Sequence, residues 1–407
     1  MPVQLMRLVD FWLGVPCCLL LSLYAWARRL LAGAHRRPEA LRRVVFIQLA
    51  ESGAFVAAHS ALRRLEERHP GAEAWVLTFS LGSQILDSLR FPPDRRIVIR
   101  TDGPLVFCRD TLAAVARMRA LGVDATVNLE TFARYSTILA FLSGAPLRAG
   151  FFRFHDEGRY TGDLLTHRLV YSPHLHAAQT YAALVESLAE PEGPEPLAKR
   201  PVPLEDLELP RVASDPALRE AVTATLRGLD PEWGPGRRLV LLNMNASDMA
   251  PNRRWPAENY LRLAARLAEE PDVLVGFIGA PGERAAIAHL LAGGSHARIV
   301  NLAGKTSVPE LVELFHVADL LVSNDSGPAH LASVTDLDIV VLFGPETPKI
   351  FRPLGPRVQA VSLELACSPC ISAYNQKRSP CSDNRCLKDI SVESVLERAL
   401  AVLRKRG

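Results

Sequence analysis

A chain of 407 residues with 48% hydrophobic and 22% charged side chains is too long for one small module and too apolar to stay disordered. At roughly 150 residues per domain it should hold two or three domains. Lys+Arg 47 against Asp+Glu 44 leaves +3, too little to bind nucleic acid by bulk electrostatics, so no nucleic-acid partner is expected. The charge is unevenly placed. Residues 1–43 carry seven arginines against Asp10 and Glu39, a net +5, which leaves −2 for the rest.

From Phe11 to Ala27 run seventeen residues without a charge, FWLGVPCCLLLSLYAWA. A helix of that length falls short of the ~30 Å hydrocarbon core unless it recruits Leu30 and Leu31. Trp12, Tyr24 and Trp26 suit interfacial anchoring, and the arginines that follow favour a cytoplasmic C-terminal side. Pro16, in the middle, is expected to kink the helix, which also permits a re-entrant hairpin. A cleaved signal peptide is the rival reading, without an obvious small-x-small site; a buried core helix is the soluble one. Residues 1–43 are therefore expected to form a membrane-associated segment, with Cys17 and Cys18 as apolar filler.

VVFIQL (Val44–Leu49) is a continuous apolar run of buried-strand type, followed by a turn and a helical pattern through Arg68. Further strands are predicted at Ala74–Leu77, Arg96–Ile99 and Ala125–Leu129, with helices around Asp110–Leu121 and Thr131–Leu142. Nine of the thirty prolines fall between Pro191 and Pro235, which reads as a linker interrupted by a helix starting at Asp215–Pro216. A second alternation begins at Arg238: LVLLNM, a helix over ENYLRLAARLAEE, VLVGFIG, a helix from Glu283, IVNLAG, VPELVELFHVA, LLVSN and IVVLFG. The expected class is α/β, with two doubly wound, Rossmann-like domains facing a cleft and ligands at the carboxyl ends of the strands. The predicted boundaries are 1–43, 44–190, a Pro-rich linker at 191–236, 237–390, and an amphipathic C-terminal helix at 391–407.

The most informative segment is Ser323–Phe343, SNDSGPAHLASVTDLDIVVLF. A strand ending in Asn-Asp-Ser-Gly and a helix opening at Gly-Pro present backbone N–H groups to an anion, with Ser326 and His330 as added donors. Simple helix capping by Asp325 and Ser326 is the competing explanation. Cys367, Cys370, Cys381 and Cys386 form C-x2-C-x10-C-x4-C, a spacing that fits a structural zinc site, with reduced free thiols as the alternative. His59, His155, His174 and His176 lie in no ligand pattern.

Taken with NRRWP at 252–256, GPETP at 344–348 and CSPC at 367–370, this order resembles glycosyltransferase family 9, the ADP-heptose:lipopolysaccharide heptosyltransferase family, from about Val44 to the C-terminus. The resemblance implies a GT-B fold whose C-terminal domain holds the nucleotide-sugar donor and whose N-terminal domain holds the acceptor. The family's basic-x-Trp-Pro motif falls on Arg253, Trp255 and Pro256, Arg253 standing where a lysine is usual. Its Asp-Ser/Thr-Gly-x-x-His motif falls on Asp325, Ser326, Gly327 and His330. Gly279 and Glu283 match a region that meets the nucleoside. Cationic groups and a helix end can offset the leaving diphosphate, so no catalytic divalent metal is expected.

One departure stands out. The family's first turn carries Gly-Asp, the Asp serving as base for the acceptor hydroxyl, whereas here the turn reads QLAESGAFV with Ala54 in that position. Glu51 is the nearest carboxylate and the candidate catalytic base; a mere helix-capping role in an inactive protein is the alternative. The resemblance thus implies an inverting glycosyltransferase at the cytoplasmic face of a bacterial inner membrane. It would move a sugar, heptose from ADP-heptose, onto a lipid-linked or lipopolysaccharide-type envelope glycan. The alternatives are a sugar-nucleotide epimerase of similar shape and a non-catalytic glycan-binding relative.

Overall fold

A computed structural model describes residues 10–32, 37–49, 51–246, 250–293 and 296–406; Arg7 and Arg36, counted above, lie outside them. The chain divides into two units: 1–87 with 91–208 and 373–376, and 88–90 with 209–372 and 377–407.

In the first unit six strands, β1 (Arg43–Ile47), β2 (Glu73–Phe79), β3 (Arg96–Ile99), β4 (Ala125–Asn128), β5 (Leu147–Phe151) and β6 (His167–Leu169), form one sheet in the order β3-β2-β1-β4-β5-β6. Every pairing is parallel. Val44 to Ile47 of β1 are all buried, as a strand covered on both faces requires. The connecting helices are α2 (Ser52–Arg68), α3 (Ser80–Ser88), α4 (Pro104–Leu121), α5 (Arg134–Leu142) and α6 (Ala177–Ser187). Val45, Ile47, Leu77, Ile97, Met118 and Leu139 lie at the centre of one core cluster.

The N-terminal apolar segment forms one continuous helix, α1 (Gly14–Ala32), not a hairpin. Pro16 lies in the first turn of α1, and residues 10–12 before it are helical up to a turn at Leu13. From Asp10 to Leu31 the segment is long and apolar enough to cross a membrane by length and composition. It is docked lengthwise on its own unit. The Asp10 carboxylate pairs with Arg134 and Arg159, Ser22 Oγ accepts from the Asp163 N–H at 2.7 Å, and Arg29 reaches Glu192 at 3.1 Å. Gly162, at φ +78°, permits this approach, because a Cβ there would stand 2.9 Å from the Cys18 carbonyl oxygen.

The second unit opens with α7 (Pro216–Leu229), and Asp215 caps it as the sequence led us to expect: its Oδ1 accepts from the Ala217 and Leu218 N–H groups. Then follow β7 (Arg238–Asn243), α8 (Ala257–Leu267), β8 (Val273–Phe277), α9 (Arg284–Ala292), β9 (Ile299–Asn301), α10 (Val308–Val317), β10 (Leu320–Asn324), α11 (Gly327–Ala332), β11 (Asp338–Leu342), α12 (Pro348–Phe351), β12 (Val358–Val361), α13 (Arg385–Lys388) and α14 (Val392–Arg406). The sheet order is β12-β11-β10-β7-β8-β9, again wholly parallel. Counted within the unit this is the same doubly wound order as the first, reversing between its first and fourth strands. Val392, Val395, Leu396, Ala399 and Leu403 of α14 are buried in the core, as their three- and four-residue spacing implies.

Candidate active site

At the point where the second sheet reverses, β7 and β10 lie side by side and their loops interlock. Asn243, the last residue of β7, donates from Nδ2 to Ser326 Oγ at 2.8 Å and to Ser323 Oγ at 2.9 Å. Asn324, the last of β10, accepts from the Trp255 N–H at 2.9 Å and donates to the Met244 carbonyl at 2.8 Å. Trp255 is buried, its indole N–H donating to the Ile390 carbonyl at 3.0 Å and its ring edge-on to Tyr260. The Trp of the NRRWP run therefore pins the loop after β7 onto the end of β10, which sets the direction of Arg253.

Arg253 Nη1 lies 3.4 Å from Asp325 Oδ2 and 3.7 Å from Glu346 Oε2, and Lys377 Nζ lies 3.9 Å from Glu346 Oε1. The side chains of Arg253, Asp325 and Glu346 are 11%, 6% and 2% exposed, so this pairing sits in a poorly hydrated place where charges interact strongly. Asp325 and Ser326 do not behave as plain helix caps. Asp325 serves the guanidinium, and Ser326, at the N-cap of α11, makes no side-chain bond to the helix and donates to the Asn324 carbonyl instead. Gly327 opens α11 and His330 is half-buried one turn on.

Gly279 and Glu283 belong to a separate turn after β8. The Glu283 carboxylate accepts from the Ala280 N–H at 2.6 Å, and no bond joins it to the Arg253 group among the described residues. The expected zinc centre does not assemble either. No group of three or more His, Cys, Asp or Glu among the described residues is placed to hold a metal. Cys381 Sγ donates to the Asp383 carbonyl at 3.1 Å, Cys370 Sγ contacts Ser379 Oγ at 3.2 Å, Cys367 is exposed, and burial pushes the Cys386 thiol up to about 11. The segment instead braces the site. Cys370 N–H donates to the Pro345 carbonyl beside Glu346, and Asn384 Nδ2 donates to the Asn252 and Arg254 carbonyls on either side of Arg253.

In the first unit the equivalent reversal lies between β1 and β4, where Ile47 pairs with Asn128. Glu51 follows β1 at the N-cap position of α2, but its carboxylate makes no cap bond. Glu130 follows β4; its Oε1 accepts from the Leu49 N–H at 2.7 Å and from Gln48 Nε2 at 2.9 Å. Burial foremost, then the charges of Glu51 and Glu130, hold the Tyr181 phenol well above its ordinary value. Glu51 and Glu130 thus follow the two strands that flank this reversal. Glu130 and Glu346 escape sequence reasoning: both act through residues about 80 or more positions away, and only the strand order brings them together.

The family description "Glycosyltransferase family 9 (heptosyltransferase)" matches residues 113–379, which include Glu130, Arg253, Asp325 and Glu346 but begin after Glu51. Lipooligosaccharide heptosyltransferase 2 of Campylobacter jejuni is 30% identical over 174 residues, 42% of this chain and 52% of that protein. Lipopolysaccharide heptosyltransferase 2 of Salmonella typhimurium is 31% identical over 166 residues, 40% of this chain and 46% of that one. The chain spans about half the length of these curated relatives. The solved E. coli ADP-heptose lps heptosyltransferase II has a TM-score of 0.69 at 22% identity, over 89% of this chain and 99% of that one. E. coli heptosyltransferase WaaC with ADP-2-deoxy-2-fluoro heptose has a TM-score of 0.56 at 16% identity, over 88% and 99%. The first likeness and the second rest on fold; the family match covers well over half of the chain and carries the motifs that hold Arg253 in place, so this protein belongs to glycosyltransferase family 9.

Proposed function

We propose that the protein is an inverting glycosyltransferase that takes heptose from ADP-heptose and places it on a lipopolysaccharide-type or other lipid-linked envelope glycan, working at the cytoplasmic face of the inner membrane. Membership of family 9 supports the reaction class, and the relatives named as lipopolysaccharide heptosyltransferases support the acceptor class. WaaC was solved with an ADP-heptose analogue, which supports the donor. The observation that carries the reading is the contrast between the two sheet reversals: Arg253 held by Asp325 and Glu346 in one unit, and Glu51 and Glu130 following the strands of the reversal in the other.

In this reading the donor diphosphate lies against Arg253 and the Ser326–Gly327 turn, with His330 nearby and Gly279 and Glu283 toward the nucleoside. Glu51 takes the proton of the acceptor hydroxyl as its oxygen attacks the anomeric carbon. The bond from that carbon to the diphosphate oxygen breaks on the opposite face, and the electron pair leaves with ADP. Glu130 positions the chain that carries Glu51, through the Leu49 N–H and the Gln48 amide. Arg253, oriented before the reaction, stabilises the charge that develops on the leaving group. Residues 1–31 attach the enzyme to the membrane, combining apolar burial with basic flanks.

The test is product formation. Purified full-length protein with ADP-heptose and a heptose-deficient lipopolysaccharide acceptor should release ADP and add one heptose to the acceptor by mass. Donor binding without any transfer would mark a non-catalytic relative, and selective stabilisation by a different nucleotide-sugar would reassign the donor.

A further inference from the structure

The first unit contains a cavity of about 500 Å³ whose two walls differ in chemistry. Phe11, Val15 and Leu19 form an apolar wall, and Arg134, Arg153 and Arg159 stand in the other beside Tyr160. The second wall is rich in guanidinium groups. Arg134 and Arg159 share one carboxylate oxygen, Asp10 Oδ2, and Arg153, placed over the Tyr160 ring, has no carboxylate within ion-pair distance among the described residues. Arg159 also donates to Gln376 Oε1, so Arg153 is the guanidinium of this wall that has no carboxylate beside it among the described residues. Arginines gathered so often recognise phosphate, because their planar donors match its oxygens.

The cavity opens on the outer face of α1. Phe11 and Leu19 line it and are also 55% and 48% exposed, and along the same helix Trp12, Leu20, Leu23, Trp26 and Leu31 are exposed as well. Since α1 is bound to its own unit from Asp10 to Arg29, it cannot leave that surface to span a bilayer without breaking those pairs. A helix so held, apolar outward with tryptophans at both ends, lies in the interfacial plane, at the depth where lipid phosphates sit.

We infer that this cavity is a seat for the phosphate of an acidic membrane lipid: Arg153 and Arg159 hold the phosphate, and the Phe11, Val15 and Leu19 wall lies against the first carbons of the chains. The inference rests on the reading of residues 1–31 as the membrane attachment. It gives that attachment a selectivity for anionic lipid that burial of α1 alone does not supply.

Flotation of full-length protein with vesicles of phosphatidylcholine, or of phosphatidylcholine with phosphatidylglycerol, separates the two ideas. The wild type should bind both and favour the anionic vesicles at least tenfold. Arg153→Gln should lower binding to the anionic vesicles about fivefold, near the ~1 kcal/mol expected per basic residue at a membrane surface. It should leave phosphatidylcholine binding unchanged, and Arg153→Lys should retain most of the preference. Equal partition of wild type and Arg153→Gln onto anionic vesicles overturns the phosphate seat while leaving the attachment intact. Failure to bind either vesicle overturns the attachment itself. Loss of the preference when millimolar inorganic phosphate is added would assign the cavity to a soluble phosphate compound instead of a lipid.

Discussion

The two units share one strand order and carry different charged groups where it reverses. Where the second sheet reverses, β7 and β10 end in Asn243 and Asn324, whose amides tie the loops together and leave a cation, Arg253, held by two acids. Where the first sheet reverses, β1 and β4 lead into two carboxylates, Glu51 and Glu130. The topology determines where a site forms, and the two or three residues after each strand determine whether it suits an anion or a proton.

The largest stability effect should come from Arg253→Ala. Removing the guanidinium leaves Asp325 and Glu346 buried with reduced compensation, at a cost of about 3 kcal/mol by chemical denaturation. ADP-heptose binding should be lost with it, and Arg253→Lys should recover much of both. In the first unit Glu130→Ala removes the acceptor from the Leu49 N–H and the Gln48 amide and should cost about 2 kcal/mol. Its turnover should fall while donor affinity holds. A Glu130→Ala protein with normal turnover would show that the two carboxylates do not work together.

Acid should weaken the first unit. Burial holds the imidazoles of His59, His69 and His167 below the ordinary 6.5, so below about pH 6.5 the unfolded chain binds protons that the folded chain does not. Their contribution is therefore present above that pH and is lost as pH falls. Protection factors for hydrogen exchange at the β1 and β4 amides should fall as the pH drops below about 6.5. The smallest effect is local to the second unit: Asp215→Ala removes the cap of α7 and should cost about 1 kcal/mol in urea unfolding, with no change in donor binding.

What could be read from the sequence was whatever is decided within a few neighbouring residues. The apolar runs at Val44, Ala125 and Arg238, the Asp215–Pro216 start of a helix, and the Asn-Asp-Ser-Gly turn after β10 all declare themselves locally. Short or half-exposed elements did not. β6 has three residues, β12 is an edge strand with Gln359 and Ala360 exposed, and α3 begins immediately after β2 without a break. The C-x2-C-x10-C-x4-C spacing is compatible with zinc, yet in the fold Cys381 donates to the Asp383 carbonyl, Cys370 contacts Ser379, and no group of three or more His, Cys, Asp or Glu among the described residues is placed to hold a metal. Spacing limits which ligands can meet, and tertiary packing decides whether they do.

The division of labour between the units is tested most directly by measuring donor affinity and turnover together on Glu51→Gln, which keeps size and hydrogen bonding and removes the basic oxygen. Turnover should fall about 10²-fold or more, with the dissociation constant for ADP-heptose unchanged within twofold. Near-normal turnover would contradict the proposal that Glu51 is the base, and a loss of donor affinity in its place would put donor binding in the first unit as well.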